Sequence, residues 1–303
     1  MSGGFQLPNS PLVDADWLRA HQGHPDLVVL DARVNAQAAH GAGAAYSSGR
    51  ASFETDGHIP GARFADLCSG FSDPTGHFPF TRPKAGGLRQ VVQHLGIHRH
   101  SVIVVYDSLS GAWAARAWWV LRAYGHPRVL VLDGGLAAWR AAGGALEFGA
   151  AAIPAQGDFV PVALEGFFVD TPAVLEALER RGETRLVCAT RRTEFTGEGS
   201  DEARRGHIPG SFNSPYRDLL DDTGRMQWDR VHREALRLGL DRKGAVILYC
   251  GGGVNAAGVA LGLVAAGYPS PRIYDGSLNE WKANPRLPLE LGPERPAGDR
   301  PTG

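Results

Sequence analysis

Cysteine is scarce: 303 residues contain only Cys68, Cys188 and Cys250. They are odd in number, far apart and in no C-x-x-C or Cys/His spacing, which excludes a disulfide framework and offers no zinc pattern. Reduced thiols are expected, so any cysteine chemistry is nucleophilic or redox. Charge of one sign is also missing. The formal net charge is -1 and there is no long basic run, so nothing in the sequence points to a nucleic-acid partner. No uninterrupted apolar stretch reaches the ~20 residues of a membrane helix, and the mixed start MSGGFQLPNS has no signal-peptide pattern, so the expected compartment is the cytoplasm. What remains is an ordinary globular composition, 43% hydrophobic and 21% charged. The length suits about two domains of roughly 100 to 200 residues.

The chain repeats itself. GHIPGARFADL begins at Gly57 and GHIPGSFNSPYRDL at Gly206; VIVVYD, ending at Asp107, is echoed by AVILYC, ending at Cys250. RAYGHPRVLVLDGGLAAW, ending at Trp139, is echoed by VAAGYPSPRIYDGSLNEW, ending at Trp281. The order of these segments is the same in both halves, which marks a duplicated domain rather than a short solenoid. Each half alternates β-rich runs such as LVVLDA and RLVCA with helical stretches such as DWLRAHQ and TPAVLEALERR. That alternation argues for a parallel sheet with helices on both faces. The Gly- and Ala-rich segment with Pro154 and Pro161 reads as a linker, and the end GPERPAGDRPTG as a flexible tail. The expected divisions are 1–145, a linker at 146–163, a second domain at 164–290 and the tail at 291–303.

The stretch YCGGGVNAA, residues 249–257, supports several readings. Gly251, Gly253 and Ala256 fit G-x-G-x-x-A, the dinucleotide fingerprint, but the loop follows a late strand and its counterpart DSLSGAWAA has lost the glycines. A phosphatase would need an arginine six positions on to clamp phosphate; residue 256 is alanine. In the third reading Cys250 sits where a strand meets a helix, so loop amides and the positive end of the helix dipole stabilise a thiolate. The plain alternative is a small buried hydrophobe.

Taken together, these segments resemble the tandem-domain rhodanese-like sulfurtransferases over residues 10–290. The resemblance implies an α/β fold of two tandem rhodanese-like domains, each a small five-stranded parallel sheet with helices on both faces, with the site in the cleft between them. It implies that the first copy, with Asp107 in the cysteine position, is inactive. Cys250 is then the nucleophile, in a loop running to Asn255 whose residues Gly251, Gly252, Gly253, Val254 and Asn255 bind the sulfur. A sulfane sulfur passes from thiosulfate or 3-mercaptopyruvate to Cys250 as a persulfide, then to cyanide, a small thiol or a thioredoxin-like acceptor, with no metal or organic cofactor. The alternative is a non-catalytic persulfide carrier or regulatory module.

CGGGVNA is similar to the C-G-S-G-V-T-A loop of the 3-mercaptopyruvate type, with Gly252 for Ser and Asn255 for Thr. That type implies Asp66 and His77, in ADLCSGFSDPTGHFPF, as partners of the missing serine, and arginines of the second domain for the donor's carboxylate. Arg191 and Arg192 in CATRR are the candidates and Arg204 with Arg205 a weaker pair. The usual D-x-R is present as Asp31 and Arg33 in the first half; in the second, Thr190 or Arg191 takes the arginine position. Other residues that look chemical read as structural. His58 and His207 share one slot in both halves, Trp113, Trp118 and Trp119 suit a core or domain interface, and Cys68 and Cys188 lack a glycine nest.

Overall fold

The computed structural model describes residues 6–37, 45–180, 183–199, 202–240 and 245–294. The first half contains β1 (Leu12–Val13), α1 (Ala15–His21), β2 (Leu27–Asp31), a hairpin of β3 (Val34–Gln37) and β4 (Ala45–Ser48), α2 (Arg50–Thr55), β5 (Arg63–Phe64) and α3 (Ala85–His94). It continues through β6 (Val102–Tyr106), α4 (Ala112–Ala123), β7 (Val129–Leu132) and α5 (Gly135–Ala141). The second half runs β8 (Phe168–Val169), α6 (Thr171–Glu179), β9 (Thr184–Cys188), α7 (Arg192–Thr196), β10 (Phe212–Asn213), a 3₁₀ turn at Tyr216–Leu219 and α8 (Trp228–Arg237). It closes with β11 (Ala245–Tyr249), α9 (Val254–Ala265), β12 (Arg272–Tyr274) and α10 (Ser277–Ala283).

Each half forms a five-stranded parallel sheet, ordered β1-β7-β6-β2-β5 and, equivalently, β8-β12-β11-β9-β10. The central strand VIVVY is buried along its whole length because helices cover both faces of the sheet. The register resolves a gap that sequence alone leaves open. Asp31 pairs with Tyr106 and Cys188 with Tyr249, each tyrosine standing just before its loop residue. Cys188 therefore occupies the Asp31 position and Thr190 that of Arg33. In the first domain Asp31 and Arg33 form a buried ion pair at 2.6 Å; in the second a contact of 3.1 Å between Cys188 Sγ and Thr190 Oγ1 replaces it.

The repeated GHIPG turn has the same physical basis in both copies. Its first glycine adopts a left-handed conformation, φ +85° at Gly57 and +99° at Gly206, where a side chain would be strained. The His58 ring stacks on Phe53 at 3.8 Å and the His207 ring on Phe195 at 3.6 Å, each with Nδ1 bonded to the carbonyl of the ring it covers. The amides of Ile59 and Ile208 donate to the Tyr106 and Tyr249 hydroxyls, tying each turn to the strand that carries the loop. Burial lowers the pKa of His207, which suits a neutral packing ring.

The domains are joined through α4 and α9, which pack together within one hydrophobic core that draws on both halves. Trp113, Trp118 and Trp119 are buried there. The segment read as a linker runs along the first domain, where the amides of Gly157, Phe159, Val162 and Leu164 donate to Gln93, Ile97, Tyr124 and Ala123. Each half also lends a D-x-T-G loop to the other. Asp73 and Asp221 cap their own turns through the amides of Thr75 and Thr223. Beyond the turns, Arg82 N donates to Asp275 and Met226 N to Asp133. No helix among the described residues is long and apolar enough to cross a membrane.

Candidate active site

Cys250 leaves the C-terminal end of β11 and is 3% exposed. Gly253, at φ +80°, turns the chain into α9 and points its N–H at Cys250 Sγ, 3.1 Å away. The D-G-S-L turn holds the loop from behind. Leu278 N donates to Cys250 O and Asn279 N to Gly251 O, both at 2.9 Å, while Cys250 N donates to Ser277 Oγ at 3.3 Å. Ser277 keeps a left-handed φ of +50° where the first domain has Gly135 at +55°. Such a conformation costs a non-glycine residue about 1–3 kcal/mol and tends to persist at functional sites.

The first-domain loop shows what this backbone is built to hold. Asp107 Oδ1 accepts from the amides of Leu109 and Gly111, and Oδ2 from those of Trp113 and Ala114, at 2.8–3.0 Å. Burial pushes this carboxyl above its usual range while the amides pull it back. Gly111 and Gly253 are the equivalent N-caps of α4 and α9, both left-handed. The Gly253 contact to sulfur is thus the counterpart of the Gly111 contact to carboxylate. Four amides close around Asp107 and the Gly253 amide reaches Cys250 Sγ, so each loop turns toward the side chain that its strand delivers, which disfavours the dinucleotide reading.

The wall opposite the loop comes from the first domain. A β-carbon on Gly252 would lie 3.4 Å from Pro79 O, 3.7 Å from the Phe80 ring and 3.2 Å from Asn279 Nδ2. Phe80 is itself left-handed, at φ +63°. Its carbonyl accepts from Arg116 Nη2 at 2.6 Å, and the same Nη2 bonds Asp275 Oδ1 at 2.8 Å. Arg116 is a fully buried cation of α4, stacked over Phe168 of the second domain, and its Nη1 lies 3.0 Å from where a β-carbon on Gly253 would be.

Comparison with known proteins agrees with this geometry. The family model described as Rhodanese-like domain matches residues 14–142 and again 171–284. The chain belongs to the rhodanese-like family. The 3-mercaptopyruvate sulfurtransferase of Escherichia coli K12 is 32% identical, with 92% of this chain and 97% of that protein covered. Thiosulfate/3-mercaptopyruvate sulfurtransferase 2 of Arabidopsis thaliana is 31% identical over 93% of this chain and 86% of its own length. The crystal structure of SseA from Escherichia coli, described as a 3-mercaptopyruvate sulfotransferase, superposes with a TM-score of 0.77 at 32% identity, covering 88% of this chain and 98% of SseA.

Within this rhodanese-like framework the residues singled out from sequence fall in different places. Gly251 to Asn255 form the loop and the first turn of α9 around Cys250. His77 is exposed on the loop whose Pro79 and Phe80 overlie Gly252. Asp66 accepts from Cys68 N and Ser48 Oγ and lines a cavity of about 690 Å³ made by the first domain and the following segment. No hydrogen bond joins it to His77 among the described residues. Arg191 caps α7 and Arg192 begins it; both are exposed, and Arg192 lines a separate cavity of about 410 Å³ with Asn213, Ser214 and Arg233. Arg204 spends its guanidinium on the carbonyls of Lys282, in the last turn of α10, and of Asn284 and Leu287 beyond it. Burial raises the Cys68 thiol to about 11 and the Cys188 thiol to about 12, so neither is an activated nucleophile.

Sequence reading missed Arg116, Phe80, Asp275, Ser277 and Asn279. A signal was present for two of them: the D-G-G-L-A of the first copy becomes D-G-S-L-N in the second.

Proposed function

We propose that the chain transfers a sulfane sulfur through a Cys250 persulfide, with 3-mercaptopyruvate as the preferred donor and a small thiol, cyanide or thioredoxin-like protein as acceptor. The single observation that carries this reading is the Asp107 carboxylate held by four amides. It marks, in the sister loop, where an anion one bond beyond the loop residue sits. Applied to the second domain, the amides of Gly253, Asn255 and Ala256 face that place, and the outer sulfur of a persulfide takes it.

The Cys250 thiolate attacks the sulfur of the donor. A sulfur–sulfur bond forms, the donor's carbon–sulfur bond breaks, and its electron pair leaves as the enolate of pyruvate, which takes a proton. His77, on the loop whose Pro79 and Phe80 overlie Gly252, is assigned the supply of that proton. The acceptor then attacks the outer sulfur, and the sulfur–sulfur pair returns to Cys250 Sγ. Arg191 and Arg192 follow β9, the strand beside β11, and are assigned to the donor's carboxylate. The loop itself carries no basic side chain to hold a dianion, which favours 3-mercaptopyruvate over thiosulfate.

The test is thiocyanate formation with the two donors in parallel. A kcat/KM at least about tenfold higher with 3-mercaptopyruvate is expected, a margin equal to about 1.4 kcal/mol of transition-state preference. A preference for thiosulfate contradicts the donor assignment. One equivalent of thiocyanate and then none contradicts turnover and leaves a persulfide carrier.

A further inference from the structure

We infer that the side-chain amide of Asn279 donates a hydrogen bond to the carbonyl oxygen of an α-keto thiol donor held against Cys250, which makes Asn279 a determinant of donor choice. This deepens the proposed function and rests on it.

Asn279 is hydrogen-bonded to the loop through its backbone. Its own amide donates to Gly251 O and that of Leu278 to Cys250 O, so the first turn of α10 is fastened to the residues that carry the thiol. Its side chain is partly exposed, with Nδ2 3.2 Å from the place a β-carbon on Gly252 would occupy. No hydrogen-bond partner engages that side chain among the described residues. Of the other side-chain donors near the sulfur, Arg116 Nη1 has no partner among the described residues but is buried against Gly253 rather than over Gly252. Residues 251–253 are all glycine and offer no side chain. Ser277 Oγ donates to Tyr274 O, and Arg116 Nη2 is shared between Phe80 O and Asp275. The equivalent of Asn279 in the first domain, whose loop carries Asp107 in place of the thiol, is Ala137.

The chemistry asks for a donor there. When the carbon–sulfur bond of an α-keto thiol breaks, its electron pair passes through the adjacent carbon onto the carbonyl oxygen. A hydrogen-bond donor fixed at that oxygen is strengthened as the charge develops. Thiosulfate loses sulfite instead and has no such carbonyl. The role is therefore specific to one donor class.

Asn279→Ala should lower kcat with 3-mercaptopyruvate by about 100-fold, the low end of the range for removing one oxyanion donor, and leave turnover with thiosulfate within about twofold. Asn279→Leu, of similar size and without a donor, should behave the same way and guards against loss through poor packing. Adding Gly252→Ser to Asn279→Ala places a hydroxyl in the vacated space and should restore turnover with 3-mercaptopyruvate alone. Equal losses with both donors, or no loss with either, would overturn the assignment while leaving the proposed function intact. If the unaltered protein turns over neither donor, the proposed function fails and this inference with it.

Discussion

Cys250→Ser is expected to lower thiocyanate formation by about 10⁴-fold or more with either donor, because covalent transfer has no other carrier and removal of an enzyme nucleophile has effects of that order. The remaining thiols cannot substitute. With pKa values near 11 and 12, Cys68 and Cys188 hold at most about one thiolate in ten thousand at neutral pH. The substitution should leave stability almost unchanged, since a serine oxygen can accept the same Gly253 N–H that the sulfur accepts. Residual activity of a tenth or more would place the reacting sulfur elsewhere.

The largest expected effect on stability lies in a residue of the first domain. Arg116→Met should destabilise the protein by about 3 kcal/mol in urea unfolding, the low end of the cost of breaking a buried ion pair, because Arg82 Nε remains 3.9 Å from the Asp275 carboxylate. The side chain is 1% exposed and joins the Phe80 carbonyl of its own domain to the Asp275 carboxylate and the Phe168 ring of the other. Its Nη1 also backs Gly253, whose N–H reaches the sulfur. Turnover should therefore fall along with stability. Asp275→Asn in the Arg116→Met background should recover part of the loss, because it removes a carboxylate left with only Arg82 Nε, 3.9 Å away, as its cationic partner, although the Arg82 amide still needs its acceptor. A change below about 1 kcal/mol for Arg116→Met would mean that the cation is screened by water and holds nothing together.

The duplication was legible because it rests on backbone geometry. A left-handed glycine, a histidine stacked on the preceding aromatic ring and a tyrosine holding the turn have to recur together wherever that turn recurs, so GHIPG and the tyrosine before each loop survive in both halves. The position of Cys250 was legible for a related reason, since a strand end, glycines and a helix start define an amide nest locally. Contacts between the halves were not legible. Nothing in AWAARAWWVLRA distinguishes a buried Arg116 from a solvated one, and nothing in FPFTRP reveals that Phe80 is left-handed over Gly252. The D-x-R comparison failed for want of a register: only the pairing of Cys188 with Tyr249 shows that Thr190 stands at the arginine position. Asp66 and His77, grouped through the resemblance to the 3-mercaptopyruvate type, are not joined by a hydrogen bond among the described residues; the Asp66 carboxylate accepts from Cys68 N and Ser48 Oγ.

Mass mapping of the intact protein after brief treatment with 3-mercaptopyruvate, before any acceptor is added, tests the central claim most directly. One additional sulfur atom per chain, located on the peptide containing Cys250 and removed by cyanide as thiocyanate, is the result the amide cradle predicts. Sulfur found on Cys68 or Cys188, or transfer to cyanide with no sulfur ever held by the protein, would contradict it.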